Sequence, residues 1–145
     1  MNFGYINDLA DSDTIEGALG SNTVTDYIDG GTASLIINAG DITLIAEQLS
    51  ALNTFTSSPL AGSEPKARNL EIGYNLELAG KPATVAIAFQ GTDEASALDL
   101  PETKNMLGLG VEISDNLGLG FEISREEDYS NNSTTNFVAQ VAVSF

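Results

Sequence analysis

Residues 135–145 alternate almost without error between apolar and polar or small side chains. Val138 is the one large apolar residue at an even position. Successive side chains of a β-strand point to opposite faces, so the pattern predicts a strand with one apolar face. The apolar positions of this strand are Phe137, Ala139, Val141, Val143 and Phe145.

The same alternation recurs upstream, mostly in segments close to the nine to eleven or so residues of a strand that crosses a bilayer at a tilt. In residues 42–52 two facings compete, because Ile42 and Leu44 alternate with Ile45 and Leu49. Together these segments predict eight strands. They cover residues 3–6, 33–39, 42–52, 69–78, 83–90, 107–114, 117–125 and 135–145.

The predicted connections alternate in length along the chain. Short turns follow the second, fourth and sixth strands, whereas long polar stretches follow the others. The sixth and seventh strands, LGLGVEIS and LGLGFEIS, are a near repeat around the turn at residues 115–116. Partners across a hairpin share a face, so Val111 is expected opposite Phe121, and Leu78 opposite Ala83 around the turn at residues 79–82. Short turns at one rim and long loops at the other are typical of bacterial outer-membrane barrels. We therefore predict an all-β fold, an antiparallel up-and-down transmembrane β-barrel of about eight strands that forms a single domain.

A soluble antiparallel sandwich is the alternative, because its half-buried strands also alternate. The predicted polar face argues against it. This face carries several glycines inside strands, where glycine weakens the strand and offers nothing to pack. The glycines concerned are Gly73, Gly108, Gly110, Gly118 and Gly120.

The amino-acid composition excludes several classes of function and of catalytic group. The chain has 21 acidic and 5 basic residues, a net charge of −16 and neither histidine nor cysteine. Such a charge repels nucleic-acid phosphates, and the missing side chains remove the usual general base, thiol nucleophile and zinc ligands. Glu112 and Glu122 could in principle form a glycosidase pair, but the strand repeat accounts for both. We predict no enzyme, no catalytic residue and no cofactor.

Charged residues of the predicted strands are expected to face the lumen and its solutes. A closed eight-stranded barrel has little interior space, so buried carboxylates there would cost several kcal/mol each. This favours a wider, water-filled pore with this chain as its carboxy-terminal part, and such a lumen would prefer cations. The lumen candidates are Glu47, Glu71, Glu77, Glu112, Glu122, Arg68 and Arg125.

The first long connection is acidic and could gather Ca²⁺ or Mg²⁺ through carboxylate oxygens. It lacks the full spacing of a known calcium loop, so a solvated acidic loop is the favoured interpretation and no metal site is predicted. The acidic residues are Asp8, Asp11, Asp13, Glu16, Asp26 and Asp29.

The amino terminus shows no basic stretch followed by an apolar core, so no signal peptide is visible. An outer-membrane protein must be exported. The chain is therefore interpreted either as a mature form or as a fragment, and the excess of lumen carboxylates favours the fragment.

The closing segment FVAQVAVSF resembles the carboxy-terminal targeting signal of Gram-negative outer-membrane proteins. More broadly, residues 33–145 resemble the carboxy-terminal half of porin-type barrels in the legiobactin-uptake, siderophore-porin family. The segments that carry this resemblance are ITLIAEQLSAL, ARNLEIGYNLELAGKPATVAIAF and SREEDYS within this range, and NFGYINDLADSD ahead of it at residues 2–13. The resemblance implies passive or receptor-like uptake of a small ligand.

Three functions are thus distinguished. The first is an outer-membrane pore or uptake barrel for small solutes. The second is a complete eight-stranded barrel that acts as an anchor or adhesin without conductance, and the third is a soluble binding module. The first implies outer-membrane lipid, the barrel-assembly machinery and a small-molecule solute as partners, is compatible with an oligomer, and excludes nucleic acid.

Overall fold

The computed structural model describes residues 1–19 and 27–144. Within these residues a seven-residue helix, α1 (Asp13–Leu19), separates the first two strands, and a short 3₁₀ helix (Ser96–Leu98) precedes the sixth. The strands are β1 (Asn2–Ile6), β2 (Gly30–Ala39), β3 (Ile42–Ala51), β4 (Lys66–Leu78), β5 (Lys81–Asp93), β6 (Thr103–Ser114), β7 (Leu117–Glu127) and β8 (Ser133–Val143).

All eight strands belong to one sheet in which the spatial order follows the chain order. Each strand is antiparallel to its neighbours. The prediction of an all-β, antiparallel, up-and-down arrangement of eight strands is confirmed. The sheet is not closed, since β1 and β8 are its two edges.

Three two-residue turns connect β2 to β3, β4 to β5 and β6 to β7. Ala79 and Gly80 both have positive φ, which matches the twist of a tight hairpin. Two hairpins are tighter than the sequence suggests: Leu78 pairs with Lys81 rather than with Ala83, and Val111 pairs with Leu119. Val111 was expected opposite Phe121. Both differences amount to two residues, so the predicted alternation of faces is kept along these strands. A register shift between Glu112 and Ser114 interrupts it next to the turn between β6 and β7.

The register aligns large apolar side chains in a continuous row across seven strands. Directly paired residues of antiparallel strands share a face, so the row identifies one apolar face of the sheet. It consists of Ile37, Leu44, Ile72, Ile87, Leu107, Ile123 and Phe137.

Pairing also resolves the ambiguous facing of β3. Ile42 lies opposite Tyr74 and Leu44 opposite Ile72, which puts both on the apolar face. Glu47 and Leu49 therefore point to the other side. The register of β3 with β2 and with β4 is regular, so no bulge switches the facing.

Nothing in the described part of the chain covers the apolar face. Phe137 is 76% exposed, and Ile72 and Ile87 in the middle of the sheet are each 46% exposed. A soluble sandwich would place a second layer on these side chains, and the described residues supply none.

The hydrophobic core of the described chain lies instead among the long loops. Phe55 and Leu60 are fully buried there, and the cluster packs against Ile6 and Leu49. Both strand residues point away from the apolar face, so the loops fold over the opposite face. The buried members are Leu9, Ala10, Ile15, Ile28, Ala51, Phe55 and Leu60. Neither described helix has the length and apolar character needed to span a bilayer.

Candidate functional site

The five glutamates predicted to line a lumen share one face of the sheet, opposite the apolar face. We call it the polar face. Glu47 lies toward the long loops, Glu71 and Glu122 lie in mid-strand, and Glu77 and Glu112 lie near the short turns. The strands therefore distribute carboxylates along the whole height of this face.

A row of hydrogen-bonding side chains crosses the polar face on the long-loop side of Glu71. Each member is paired directly with the next across adjacent strands, so the row is continuous over seven strands. It consists of Ser34, Glu47, Asn69, Gln90, Lys104, Glu126 and Thr134. We call it the polar row.

Closer to the short turns, glycines leave the polar face open. Gly108 pairs with Glu122, Gly118 pairs with Glu112, and Gly110 pairs with Gly120. A Cβ atom added to Gly110 would meet nothing within 4 Å. A hollow of about 420 Å³ lies above Gly110, Gly118 and Gly120 and is lined by Glu112. Gly108 and Glu122 line a neighbouring hollow. The missing side chains thus create space beside two of the carboxylates.

Arg68 and Arg125 differ from the prediction, because the register puts both on the apolar face. Arg68 pairs with Gly91 and lies 3.7 Å from the carboxylate of Asp93, in an exposed ion pair. Arg125 donates a hydrogen bond of 3.3 Å to the hydroxyl of Ser133. Each arginine lies two residues from an aliphatic residue of the apolar face, Arg68 from Leu70 and Arg125 from Ile123. The alternation in the sequence therefore already indicated this face.

The basic side chain that does lie on the polar face is Lys104, which precedes the predicted strand at residues 107–114. Its Nζ lies 2.9 Å from Oε1 of Glu126, and both side chains are largely buried. Strands β6 and β7 run further toward the long loops than the alternation indicated, and this extension brings the pair together. Among the described strand residues of this face, Lys104 is the one cation.

A pocket of about 530 Å³ lies on the long-loop end of the polar face, within the size range of small-molecule sites. Its floor is part of the polar row, and Leu49, Leu100 and Pro101 form its apolar walls. Asn69 donates from Nδ2 to a carboxylate oxygen of Glu47 at 3.4 Å. The Oδ1 atom of Asn69 is buried and has no hydrogen-bond partner among the described residues.

The loop of residues 94–102 forms the roof of this pocket and is held by Thr92. The Thr92 amide donates to the carbonyl of Glu102 at 2.9 Å, and its hydroxyl donates to the carbonyl of Pro101 at 2.7 Å. Tyr129, from the next loop, lies 2.8 Å from the same hydroxyl and accepts a hydrogen bond from the Ala95 amide at 3.1 Å. The roof is therefore fixed to the end of β5 and to the loop that carries Tyr129.

Asp128 organises the loop that carries Tyr129. Its carboxylate accepts hydrogen bonds from the side chain and the amide of Asn132 and from the amide of Ser130, at 2.8–2.9 Å. These donors, the Asn132 side chain foremost, lower the pKa of Asp128 below its ordinary value because they stabilise the ionised carboxylate.

The acidic loop does not gather its carboxylates in the part of the chain that the structure describes. Asp8 accepts a hydrogen bond from the Ala10 amide, whereas Asp29 accepts from the hydroxyl of Tyr5 and the side chain of Asn53. No group of three or more acidic side chains there is close enough to hold a metal ion. Asp26 lies outside the described residues.

The predicted assembly-signal residues lie on the edge strand β8. Phe137, Ala139, Val141 and Val143 pair with apolar-face residues of β7 and are all exposed. Phe145 lies outside the described residues.

The chain is similar to two bacterial proteins of one name. It is 26% identical to a UPF0422 protein of Coxiella burnetii (strain RSA 493 / Nine Mile phase I) over 137 residues. This alignment covers 89% of this chain and 29% of that protein. It is 25% identical over 147 residues to a UPF0422 protein of Legionella pneumophila (strain Lens), which covers 87% of this chain and 27% of that protein.

The chain therefore spans less than a third of the length of the curated relatives it matches. No family model matches it, and no solved structure does. The resemblance to siderophore porins stays a prediction.

Proposed function

We propose that this chain forms part of a transmembrane β-barrel in the bacterial outer membrane and that the barrel passes small solutes. The observation that supports this proposal is the uncovered apolar row across seven strands, with glutamates and glycines on the reverse face. Hydrocarbon would cover the apolar row and water would fill the space beside the polar face. The apolar face of the single sheet would then contact lipid, and the reverse face would contact water.

The height of the apolar face suits a bilayer. On β4, five successive residues of this face are apolar, from Leu70 to Leu78. At about 3.4 Å per residue they span about 27 Å along the strand, or about 20 Å in height at a tilt of about 40°. Arg68 follows directly at the long-loop end, where a long side chain can reach lipid headgroups. On β7, Arg125 likewise follows the last apolar residue of this face, Ile123.

The same proposal requires that the sheet be closed into a barrel. The outer edges of β1 and β8 have no strand partner among the described residues, and unpaired backbone groups in hydrocarbon cost several kcal/mol each. In a membrane these edges would pair with further strands or with each other. We favour further strands, because the five glutamates share their face with one described cation, Lys104, and a wide water-filled lumen keeps them hydrated. Assembly of such a barrel would use the barrel-assembly machinery, with the β8 residues Phe137, Ala139, Val141 and Val143 as its signal.

A second candidate is a complete eight-stranded barrel that serves as an anchor or adhesin. The packed loop layer supports it, because Phe55 and Leu60 are buried as deeply as residues of a protein core. A rigid loop layer could present a fixed surface to a partner.

Planar-bilayer recording separates the two candidates. Stepwise currents with cation selectivity are expected from a solute pore, whereas an inserted but silent protein would support the anchor. Glu122→Gln should lower the selectivity, because Glu122 lies on the polar face. Glu127→Gln makes the same charge change on the apolar face and should leave the selectivity unchanged. Recovery of the protein outside the outer-membrane fraction would contradict both candidates.

A further inference from the structure

We propose that the pocket beneath residues 94–102 binds a small organic cation, an ammonium or guanidinium group that carries a short apolar substituent. This inference deepens the proposed function and rests on it, because the polar face must be open to solutes.

Two acceptors lie side by side on the pocket floor. Glu47 and Asn69 are direct cross-strand partners, and the Asn69 amide is oriented by the hydrogen bond from its Nδ2 to Glu47. This orientation leaves Oδ1 of Asn69 buried without a donor. A buried acceptor is unfavourable until a donor reaches it. A cationic N–H group could pair with the Glu47 carboxylate, and rotation of the Asn69 amide would then bring Oδ1 within reach of a second N–H.

The nearby lysine does not neutralise Glu47. Lys104 lies on the same row but is engaged with Glu126 at 2.9 Å. Arg68 also lines the pocket, and its guanidinium lies 3.7 Å from the carboxylate of Asp93. An anion entering the pocket would therefore meet the Glu47 carboxylate and two basic side chains that each already have an acidic partner. This balance favours a cation over an anion of the same shape.

The walls and roof fit a short apolar group. Leu49 rises from β3 on the polar face, and Leu100 and Pro101 close the pocket from the loop. The roof is fixed by the hydrogen bonds that link Thr92 to the Pro101 carbonyl and to Tyr129. The apolar wall thus lies at a set height above the acceptors, and the volume of about 530 Å³ admits a single small molecule.

The test titrates the full chain, extracted in detergent micelles, with three probes of one shape. These are 2-phenylethylammonium, the neutral 2-phenylethanol and the anionic 3-phenylpropionate. Binding is monitored through the backbone amide resonances of Asn69 and Gln90. We expect saturable binding of the ammonium probe, binding of the alcohol that is about tenfold or more weaker, and no saturation with the anion.

Variants locate the site. Glu47→Gln should weaken the ammonium probe about tenfold or more, whereas Glu77→Gln, the same change near the short turns, should leave its affinity unaltered. Asn69→Asp keeps an acceptor and adds a charge, so it should bind the probe at least as tightly as the unchanged protein. Asn69→Leu removes the Oδ1 acceptor but keeps Glu47, so it should weaken the ammonium probe without reversing its preference over the alcohol.

Equal responses to all three probes would show partition into the micelle and would overturn the inference. So would equal losses in the Glu47 and Glu77 variants, which would reflect overall charge. Because binding is measured in micelles, a failure here is distinct from a failure to insert or conduct in bilayers, which would contradict the proposed function instead.

Discussion

The phenol oxygen of Tyr129 lies 2.8 Å from the hydroxyl of Thr92, although the two residues are 37 positions apart in the chain. Thr92 already donates to the Pro101 carbonyl, so Tyr129 supplies the proton of the shared bond and accepts a second bond from the Ala95 amide. One side chain therefore connects two loops above the polar face.

Tyr129→Phe removes this connection without changing the ring. We expect the loop of residues 94–102 to lose about 1 kcal/mol of local stability, because the Ala95 amide and the Thr92 hydroxyl lose a partner. Hydrogen exchange at the Ala95 amide should accelerate several-fold while the strand amides remain protected. Tyr74→Phe, on the apolar face, is the matched control. Unchanged exchange at Ala95 would contradict the proposed role of Tyr129.

The turn at residues 128–132 should respond to acid through Asp128. Its pKa is lowered in the folded protein, so its carboxylate stabilises the turn above the pKa that it has in the unfolded chain. That stabilisation is lost as the pH falls through the lower, folded-state pKa. Amide resonances of Ser130 and Asn132 should report the loss. In Asp128→Ala the turn should be loosened at every pH and show no such titration, and a titration that persists would rule out Asp128 as its source.

A charge on the apolar face distinguishes lipid from water around the sheet. Ile87→Arg should destabilise the membrane-inserted protein by about 2–4 kcal/mol if Ile87 contacts hydrocarbon near mid-bilayer. Thr84→Arg, on the polar face of the same strand, should cost much less. Urea unfolding in lipid vesicles measures both. If the two variants are equally stable, the apolar face does not meet lipid.

Loop packing can be tested at Phe55, which is 1% exposed in the hydrophobic cluster of the loops. Phe55→Ala should cost about 3 kcal/mol of loop stability, because it leaves a cavity among Leu9, Ile28 and Leu60. Limited proteolysis should then cut the loops faster and spare the strands. Phe121→Ala, on the exposed apolar face, should not change the cleavage of the loops. Equal cleavage of the Phe55 variant and the unchanged chain would show that the cluster does not hold the loops together.

The sheet was predictable because alternation is a local property. Leu107 and Gly108, for example, are neighbours in one strand, so their side chains must point to opposite faces. An error of two residues in the strand pairing does not change the face of either side chain. This is why the hairpins at residues 79–80 and 115–116 could be wrong in register while the apolar face was right. Arg68 lies at an even position, as Leu70 and Ile72 do, so the alternation already indicated the apolar face. The prediction that Arg68 faces the lumen was therefore wrong for a reason visible in the sequence.

The pocket was not predictable in this way. Its components are the partnerless oxygen of Asn69, the ion pair of Lys104 with Glu126, and the roof held by Tyr129. Each depends on how far a strand extends or where a loop returns. No periodic signal in the sequence encodes those contacts.

Residue order along each strand thus assigned the apolar and polar faces, since a pleated backbone turns every second side chain the same way. Only the three-dimensional fold decided which strands extend to bring Lys104 to Glu126, how the loops bury Phe55 in a cluster that packs against Leu49, and that Thr92 meets Tyr129. These contacts join distant parts of the chain, and their stability comes from mutual packing rather than from any local preference.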